Sequence, residues 1–171
     1  HGRRLSTLGI RRLVISNSHG GNSGAIESAA LRLREERELL VIKANYYRFE
    51  RPVDVDFPDI EWRHGLHGGA VETAMMLHLK NKAVETNAVS KFPSIAEELE
   101  LRNSRILPTG PAAFAWLAGD LNPLGVVGDA TLASKETGKR LLTHYATILA
   151  NIIEDAYHFP IDRLTGWRNS T

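Results

Sequence analysis

His19 stands at the end of an apolar run, in a turn that is rich in glycine. Residues 12–16 (RLVIS) are typical of a short buried strand, and residues 17–24 (NSHGGNSG) follow before a helical pattern begins. Ligands of open α/β sheets bind at the carboxyl ends of the strands, where His19 would lie. The three glycines of this turn are expected to allow unusual backbone angles and the close approach of a ligand.

The spacing leaves three interpretations of His19 open. The histidine could hydrogen-bond a neighbouring loop, the glycines could cradle a phosphate before the helix, or the imidazole could bind a metal ion. The phosphate interpretation is disfavoured because the turn matches neither GxGxxG nor GxxxxGK[ST], and no lysine follows it. The metal interpretation requires further ligands elsewhere in the chain.

A second glycine-flanked histidine, His67, is followed five residues later by Glu72. On one continuous helix, two residues at this spacing point about 140° away from each other. They converge only if His67 lies in a loop and Glu72 in the first helical turn, a break that Gly68 and Gly69 would allow. Simpler interpretations also exist: His64 and His67 as surface loop histidines, and Glu72 as a carboxylate favoured by the helix dipole.

Together, the two motifs supply imidazole nitrogens and a carboxylate oxygen. These ligand types suit zinc, manganese or iron(II). The chain has no cysteine, which excludes disulfides and thiolate metal sites and is typical of the reducing cytoplasm. The residues therefore indicate a divalent metal site, with turn and cap chemistry as the alternative.

The elements that must position these residues follow a strand–helix–strand order. After the strand over residues 12–16, apolar residues at helical spacing predict a helix over residues 23–37, and residues 39–42 (LLVI) predict a second buried strand. Such a unit is a βαβ motif with parallel strands and a right-handed crossover. The predicted fold class is therefore α/β.

The rest of the chain alternates irregular stretches with two further helices. Residues 45–62 are expected to form a loop. Residues 92–128, rich in proline and glycine, are expected to be an irregular stretch that covers a site or an interface. Helices are predicted over residues 68–82 and 134–158, the second with Ser134 as its N-cap.

The composition is that of an ordinary globular domain. The 171 residues are 43% hydrophobic and 24% charged, with a net charge of +1, so nothing demands nucleic acid or an anionic membrane as a partner. No apolar run reaches the roughly 20 residues of a membrane helix. We predict a single domain over residues 1–171. Because the first residue is His1 and not Met, we expect the natural protein to start further upstream.

Three stretches, taken together and in order, resemble motifs of the creatininase (creatinine amidohydrolase) family of metal-dependent amidases. Residues 17–22 (NSHGGN) resemble its Asn-Gly-His-Gly-Gly-Asn motif, and residues 67–74 (HGGAVETA) resemble its His-Ala-Gly-Glu-x-Glu-Thr-Ser motif. Residues 125–138 (GVVGDATLASKETG) are similar to its Gly-Val-x-Gly-Asp-Pro segment before the last helix. The order and approximate spacing of the motifs agree over nearly the whole chain.

The resemblance implies a three-layer α/β/α fold with a central, mostly parallel sheet flanked by helices. It implies that His19 and Glu72 are ligands in a site for two divalent metals (zinc, manganese or iron). By the same resemblance, His67 protonates the leaving nitrogen or polarises the substrate carbonyl. The implied reaction is hydrolysis of a cyclic or linear, non-peptide amide C–N bond by a metal-activated water. The family also implies a homo-oligomer, often a hexamer, and the absence of cysteine leads us to expect a cytoplasmic protein.

The chain also departs from the family's pattern. Ala70 stands where the motif has its first glutamate, and the chain lacks the Glu-x-His-Gly-x-His-Leu-Pro segment that would supply further ligands. We therefore expect this chain to be the C-terminal two-thirds of such an enzyme and to bind metal weakly or not at all unless that segment is supplied. The alternative is a non-catalytic α/β scaffold or binding protein with an incomplete metal site. Trp62 and His64 receive no definite role, and Asp129 is expected to shape the loop before the last helix.

Overall fold

The computed structural model describes residues 1–164. Its contacts divide the chain into two compact units: His1–Glu50 together with the chain from Tyr145 onward, and Arg51–His144. None of the helices in the described residues combines the length and the apolar character needed to cross a lipid bilayer. The single domain over residues 1–171 stays a prediction.

The first unit is built on two parallel strands joined by a helix. A short helix, α1 (Gly2–Thr7), precedes β1 (Arg12–Asn17). After α2 (Ser23–Arg37), β2 (Leu40–Asn45) pairs with β1 in parallel, in register from the first residue of each strand to the last. The predicted strand–helix–strand order and the parallel pairing are therefore confirmed, and with them the α/β class.

The connection from α2 to β2 is a tight reversal of the chain. Glu38 takes the left-handed conformation (φ 57°), and its N–H donates to the carbonyl of Arg34. Arg34 and Arg37 in the last helical turn suit the negative end of the helix dipole. Leu39 and Leu40, which follow at once, are buried. The reversal therefore leads directly into the core of the first unit.

The second unit is mainly helical. Its helices are α3 (Asp59–His64), α4 (Ala70–Lys80), α5 (Ile95–Leu101) and α6 (Ala118–Leu121). Two short strands, β3 (Lys91–Phe92) and β4 (Gly128–Asp129), pair antiparallel. Across residues 1–164 the strands thus form one parallel and one antiparallel two-stranded sheet.

The last helix, α7 (Lys135–His158), runs through both units. The Oγ of Ser134 accepts from the N–H of Thr137 at 3.0 Å, which confirms the predicted N-cap. In the second unit, Gly138 lies so close to the backbone carbonyl of Ala74 in α4 that a Cβ would overlap it. The glycine therefore permits the close packing of α7 on α4.

In the first unit, α7 contributes the ring of Tyr145 to an aromatic cluster, and Arg12 of β1 caps its C-terminal end. The ring centroid of Tyr145 lies 5.4 Å from that of Tyr46 and 6.3 Å from that of Phe49. At the other end of the helix, Nε of Arg12 donates to the carbonyl of Ala156 at 2.8 Å. This bond satisfies one of the carbonyls that a helix leaves unpaired at its C-terminus.

Two stretches that were expected to be irregular contain helices. α3 starts inside the predicted loop over residues 45–62, directly after Pro58, whose carbonyl accepts from the N–H groups of Glu61 and Trp62. α5 starts inside the stretch over residues 92–128, where Ser94 and Glu97 form a capping box. The expectation of irregular structure was therefore wrong for both segments.

Candidate functional site

His19 lies in the turn directly after β1, as the sequence predicts. Its backbone is extended (φ −140°, ψ 121°), its side chain is exposed, and a 3₁₀ turn (Gly20–Asn22) follows before α2. Within residues 1–164, no hydrogen bond reaches the imidazole; the backbone N–H of His19 donates to Asn17. The described chain thus presents an accessible imidazole at the carboxyl end of a strand.

The glycines of this turn serve a narrower purpose than expected. None of Gly20, Gly21 and Gly24 has a left-handed φ. A Cβ at Gly20 or Gly24 would meet nothing within 4 Å, whereas a Cβ at Gly21 would lie 2.7 Å from Nε2 of His19. The expectation of unusual backbone angles was therefore wrong, and Gly21 is the glycine that leaves room for the imidazole.

Asn17 holds this turn, a role that the sequence did not reveal. Asn17 is buried, and its Nδ2 donates to Oδ1 of Asn45 at 2.8 Å and to the hydroxyl of Tyr47 at 3.2 Å. Its Oδ1 accepts from the N–H of His19 at 3.2 Å and from Nδ2 of Asn22 at 3.3 Å. One amide therefore ties the ends of both strands to the backbone of His19. The signal available in the sequence was an asparagine at the end of each strand.

His67 lies in the loop between α3 and α4, and the backbone around it is fixed. Its N–H donates to the carbonyl of Val127 at 3.2 Å, and the N–H of Val127 donates to the carbonyl of His67 at 2.7 Å. Val127 is fully buried, whereas the side chain of His67 is exposed. Gly68 follows with φ +69°, a conformation that favours glycine. No described residue hydrogen-bonds the imidazole of His67.

Glu72 lies in the first turn of α4 and reaches back to the loop. Its Oε2 accepts from the N–H of Gly68 at 2.5 Å, and Oγ1 of Thr73 donates to the carbonyl of Gly68 at 3.1 Å. The predicted break, with His67 in the loop and Glu72 in the first turn, is confirmed. A carboxylate has about four lone-pair sites, so the bond to Gly68 leaves Glu72 able to bind a cation.

Glu61 is a residue of this region that sequence reasoning missed. Glu61 is 5% exposed, its Oε1 accepts from the N–H of Ala70, and its Oε2 accepts from the N–H of Asp129, both at 2.6 Å. Ala70 begins α4 and Asp129 ends β4. One carboxylate therefore joins the segment that follows His67 to the segment that pairs with it.

Trp62 and His64 are engaged with other partners. One interpretation of His64 was a surface loop histidine, but it is buried in α3, with Nε2 2.8 Å from Oε2 of Glu100. Arg63 reaches the same carboxyl group, with Nε 3.1 Å from Oε1. The hydrogen bonds from His64 and Arg63 hold the pKa of Glu100 below its ordinary value of 4.5. Trp62 packs against Phe57, with ring centroids 5.4 Å apart.

Asp129 caps the short 3₁₀ turn that precedes α7 (Ala130–Leu132). Its Oδ1 accepts from the N–H of Thr131 at 3.1 Å and from the hydroxyl of the same residue. These bonds agree with the expectation that Asp129 shapes the loop before the last helix.

The residues predicted to bind metal fit such a centre in kind. An imidazole nitrogen from His19 and a carboxylate oxygen from Glu72 are ligands that zinc, manganese and iron(II) accept. Among residues 1–164, no three histidine, aspartate or glutamate side chains come together as a group able to hold a metal ion. The ligand types therefore suit the metal, and the ligand number within the described chain is short of a complete centre.

A curated relative matches most of this chain. The mycofactocin precursor peptide peptidase of Mycobacterium ulcerans (strain Agy99) is 29% identical over 157 residues, which cover 91% of this chain and 49% of that protein. The chain thus spans about half the length of this curated relative.

Two solved structures are also similar. One is a glutamate-to-glutamine mutant creatininase complexed with creatine: 28% identity, TM-score 0.67, covering 93% of this chain and 61% of that one. The other is a tryptophan-to-phenylalanine mutant creatininase: 24% identity, TM-score 0.66, covering 92% of this chain and 61% of that one. These likenesses confirm the predicted creatininase-like α/β fold.

The family model for creatininase, described as creatinine amidohydrolase, matches residues 1–153. That match includes all three motifs on which the resemblance was based. The chain therefore belongs to the creatininase family.

Proposed function

We propose that this chain forms part of a metal-dependent amidohydrolase, in which His19 and Glu72 bind divalent metal and His67 gives a proton to the leaving nitrogen. The observation that carries the proposal is the position of His67. Its backbone is hydrogen-bonded to that of Val127, and the N–H of the next residue, Gly68, donates to Glu72. Its imidazole is exposed. Membership of the creatininase family supports amide hydrolysis as the class of reaction.

The proposed centre takes two divalent metals, zinc, manganese or iron, and His19 and Glu72 are the contribution of this chain. When bound, such cations lower the pKa of a water molecule and polarise the amide carbonyl. The hydrogen bond from Gly68 orients the carboxylate of Glu72, as supporting groups around metal centres do. Asn17 does the equivalent for the backbone of His19.

His67 is proposed as the general acid. Water adds its hydroxyl group to the acyl carbon and releases its remaining proton to solvent. The C–N bond breaks, and the departing nitrogen takes a proton from the imidazolium of His67, which then regains one from solvent. Histidine suits this step because its pKa ordinarily lies near neutral pH, so that the ring both releases and regains a proton. A fixed backbone around His67 favours such a transfer because it limits the positions that the ring can take.

The proposed substrate is a small, non-peptide molecule with a cyclic or linear amide. The relative from M. ulcerans is named as a peptidase of a precursor peptide, so a peptide amide is the second class of substrate to assay. The homo-oligomer, with a hexamer as its expected form, and the cytoplasmic location stay predictions. Neither a nucleic acid nor a membrane is proposed as a partner.

The test compares His67→Ala with wild type, in the longest form of the protein that its gene encodes. Creatinine and a short peptide amide serve as probe substrates, and metal content is measured in parallel. The proposal predicts that His67→Ala retains its metal and that kcat falls roughly 10²–10⁴-fold. His78→Ala, also in the second unit, is the matched control and should keep wild-type turnover. Unchanged turnover in His67→Ala would contradict the proposed role. A wild-type protein without metal or turnover would favour the scaffold alternative.

A further inference from the structure

The carboxylate of Glu61 is enclosed by three glycines. A Cβ added at Gly128 would lie 2.8 Å from Oε1 of Glu61, and a Cβ added at Gly65 or Gly69 would come closer still. A buried charge costs free energy unless its hydrogen bonds are satisfied. Here both carboxylate oxygens are satisfied, and the glycines keep the surrounding backbone close to the charge.

A neutral side chain of the same shape could not make both bonds. Ala70 and Asp129 each offer a backbone N–H to Glu61, so the site needs two acceptors. A carboxylate presents acceptors only, whereas the amide of glutamine presents one oxygen and one NH₂ group. Glutamine at this position would leave one N–H facing another donor. The site is therefore specific for a side chain with two acceptor oxygens.

The two bonds lie on either side of the backbone pairing that holds His67. Ala70 follows His67 by three residues, at the start of α4, and Asp129 follows Val127 by two residues. Val127 is the residue whose backbone pairs with that of His67. Loss of either bond would release one side of this pairing, although Glu61 itself hydrogen-bonds neither His67 nor Val127 in the described structure.

We propose that Glu61 is a positioning residue, which fixes the backbone turn carrying His67 and Glu72. Its catalytic meaning rests on the proposed function, in which His67 is the general acid and Glu72 a metal ligand. Glu61 acts through the backbone and takes no part in proton transfer or metal binding. The proposal explains why α3, a helix of six residues, buries a glutamate.

The test uses Glu61→Gln in the full-length protein with ¹³Cε1-labelled histidine. Two quantities are measured: the histidine resonances, and the hydrogen exchange of backbone amides by mass spectrometry. We expect the His67 resonance to move while the His19 resonance stays in place. We also expect exchange over residues 68–72 and 127–130 to accelerate at least about tenfold, as the loss of a charge-assisted bond requires.

Glu85→Gln is the matched control, because it removes an equal charge from an exposed position in the same unit. It should change neither quantity. If Glu61→Gln does not fold, Gly69→Ala displaces the same carboxylate from the other side and should move the same resonance. Uniformly faster exchange with an unmoved His67 resonance, in whichever variant folds, would overturn the proposal. Since these readouts need neither metal nor substrate, their outcome is independent of the test of the proposed function.

Discussion

The turns that carry His19 and His67 both place an exposed histidine beside glycines, but they are held by different means. The first turn depends on a neutral amide, since Asn17 both donates and accepts hydrogen bonds. The second depends on a buried carboxylate, since Glu61 only accepts them. A Cβ added at Gly20 in the first turn would meet nothing within 4 Å, whereas a Cβ added at Gly69 or Gly128 would collide with the Glu61 carboxylate of the second.

The difference shows that glycines beside candidate site residues do not all serve the same structural purpose. Around the amide of Asn17, three of the four hydrogen bonds join neighbouring side chains, and only one goes to the backbone, at the N–H of His19. Around the carboxylate of Glu61, the partners are backbone N–H groups, and the chain must come near from several directions. Glycine is then required by space as well as by conformation.

The largest effect is expected at Gly128 in β4, which lies against the Glu61 carboxylate that holds the turn of His67. Gly128 has φ +127°, and a Cβ there would lie 2.8 Å from Oε1 of Glu61 and from the Cα atoms of Gly65 and Gly69. Gly128→Ala should lower the free energy of unfolding by about 3–5 kcal/mol, through backbone strain and overpacking together. Urea denaturation measures the change.

The matched substitution in the first turn is Gly20→Ala. A Cβ there meets nothing within 4 Å, and φ is not left-handed. The free energy of unfolding should therefore stay within about 0.5 kcal/mol of wild type. Similar losses of stability in Gly20→Ala and Gly128→Ala would remove the contrast between the two turns.

An intermediate effect is expected for Asn17→Ala. The substitution removes an amide with four hydrogen bonds and leaves the N–H of His19 without its acceptor. The expected loss is about 1–3 kcal/mol in the free energy of unfolding. Asn151→Ala, at an exposed position of α7, is the control and should change little. An unaltered stability in Asn17→Ala would show that the network does not hold the first turn.

Local sequence patterns predicted the elements on which both turns depend. The spacing of apolar residues predicted β1, α2 and β2, and it predicted α4 and α7 to within two residues at each end. The start of α3 was missed because the helix has six residues, too few to establish a periodicity. Glu61 was missed because its partners lie 9 and 68 residues away in the sequence. A bond to a distant backbone N–H has no counterpart in spacing or composition.

The smallest effect is a pH dependence of stability, with one contribution from each unit. Hydrogen bonds from His64 and Arg63 lower the pKa of Glu100, and those from Arg32 and Arg3 lower the pKa of Glu36. For each residue, the unfolded chain binds more protons than the folded chain between the ordinary pKa of 4.5 and the lower folded value. Stability from these bonds is therefore fully present above 4.5 and declines as the pH falls through the folded pKa.

Glu100→Gln and Glu36→Gln should each flatten the dependence of the free energy of unfolding on pH below pH 4.5. Denaturation at a series of pH values measures it. Slopes equal to that of wild type in both variants would mean that the hydrogen bonds of Glu100 and Glu36 do not contribute to the pH dependence of stability.

Elemental analysis tests the proposed metal centre. We would purify, without chelator, the longest form of the protein that the gene encodes, together with its His19→Ala and Glu72→Ala variants. We expect about two zinc, manganese or iron atoms per chain in the wild-type protein and a clear loss of metal in both variants. Full metal content in both variants, or no metal on any form, would contradict the assignment of His19 and Glu72 as ligands.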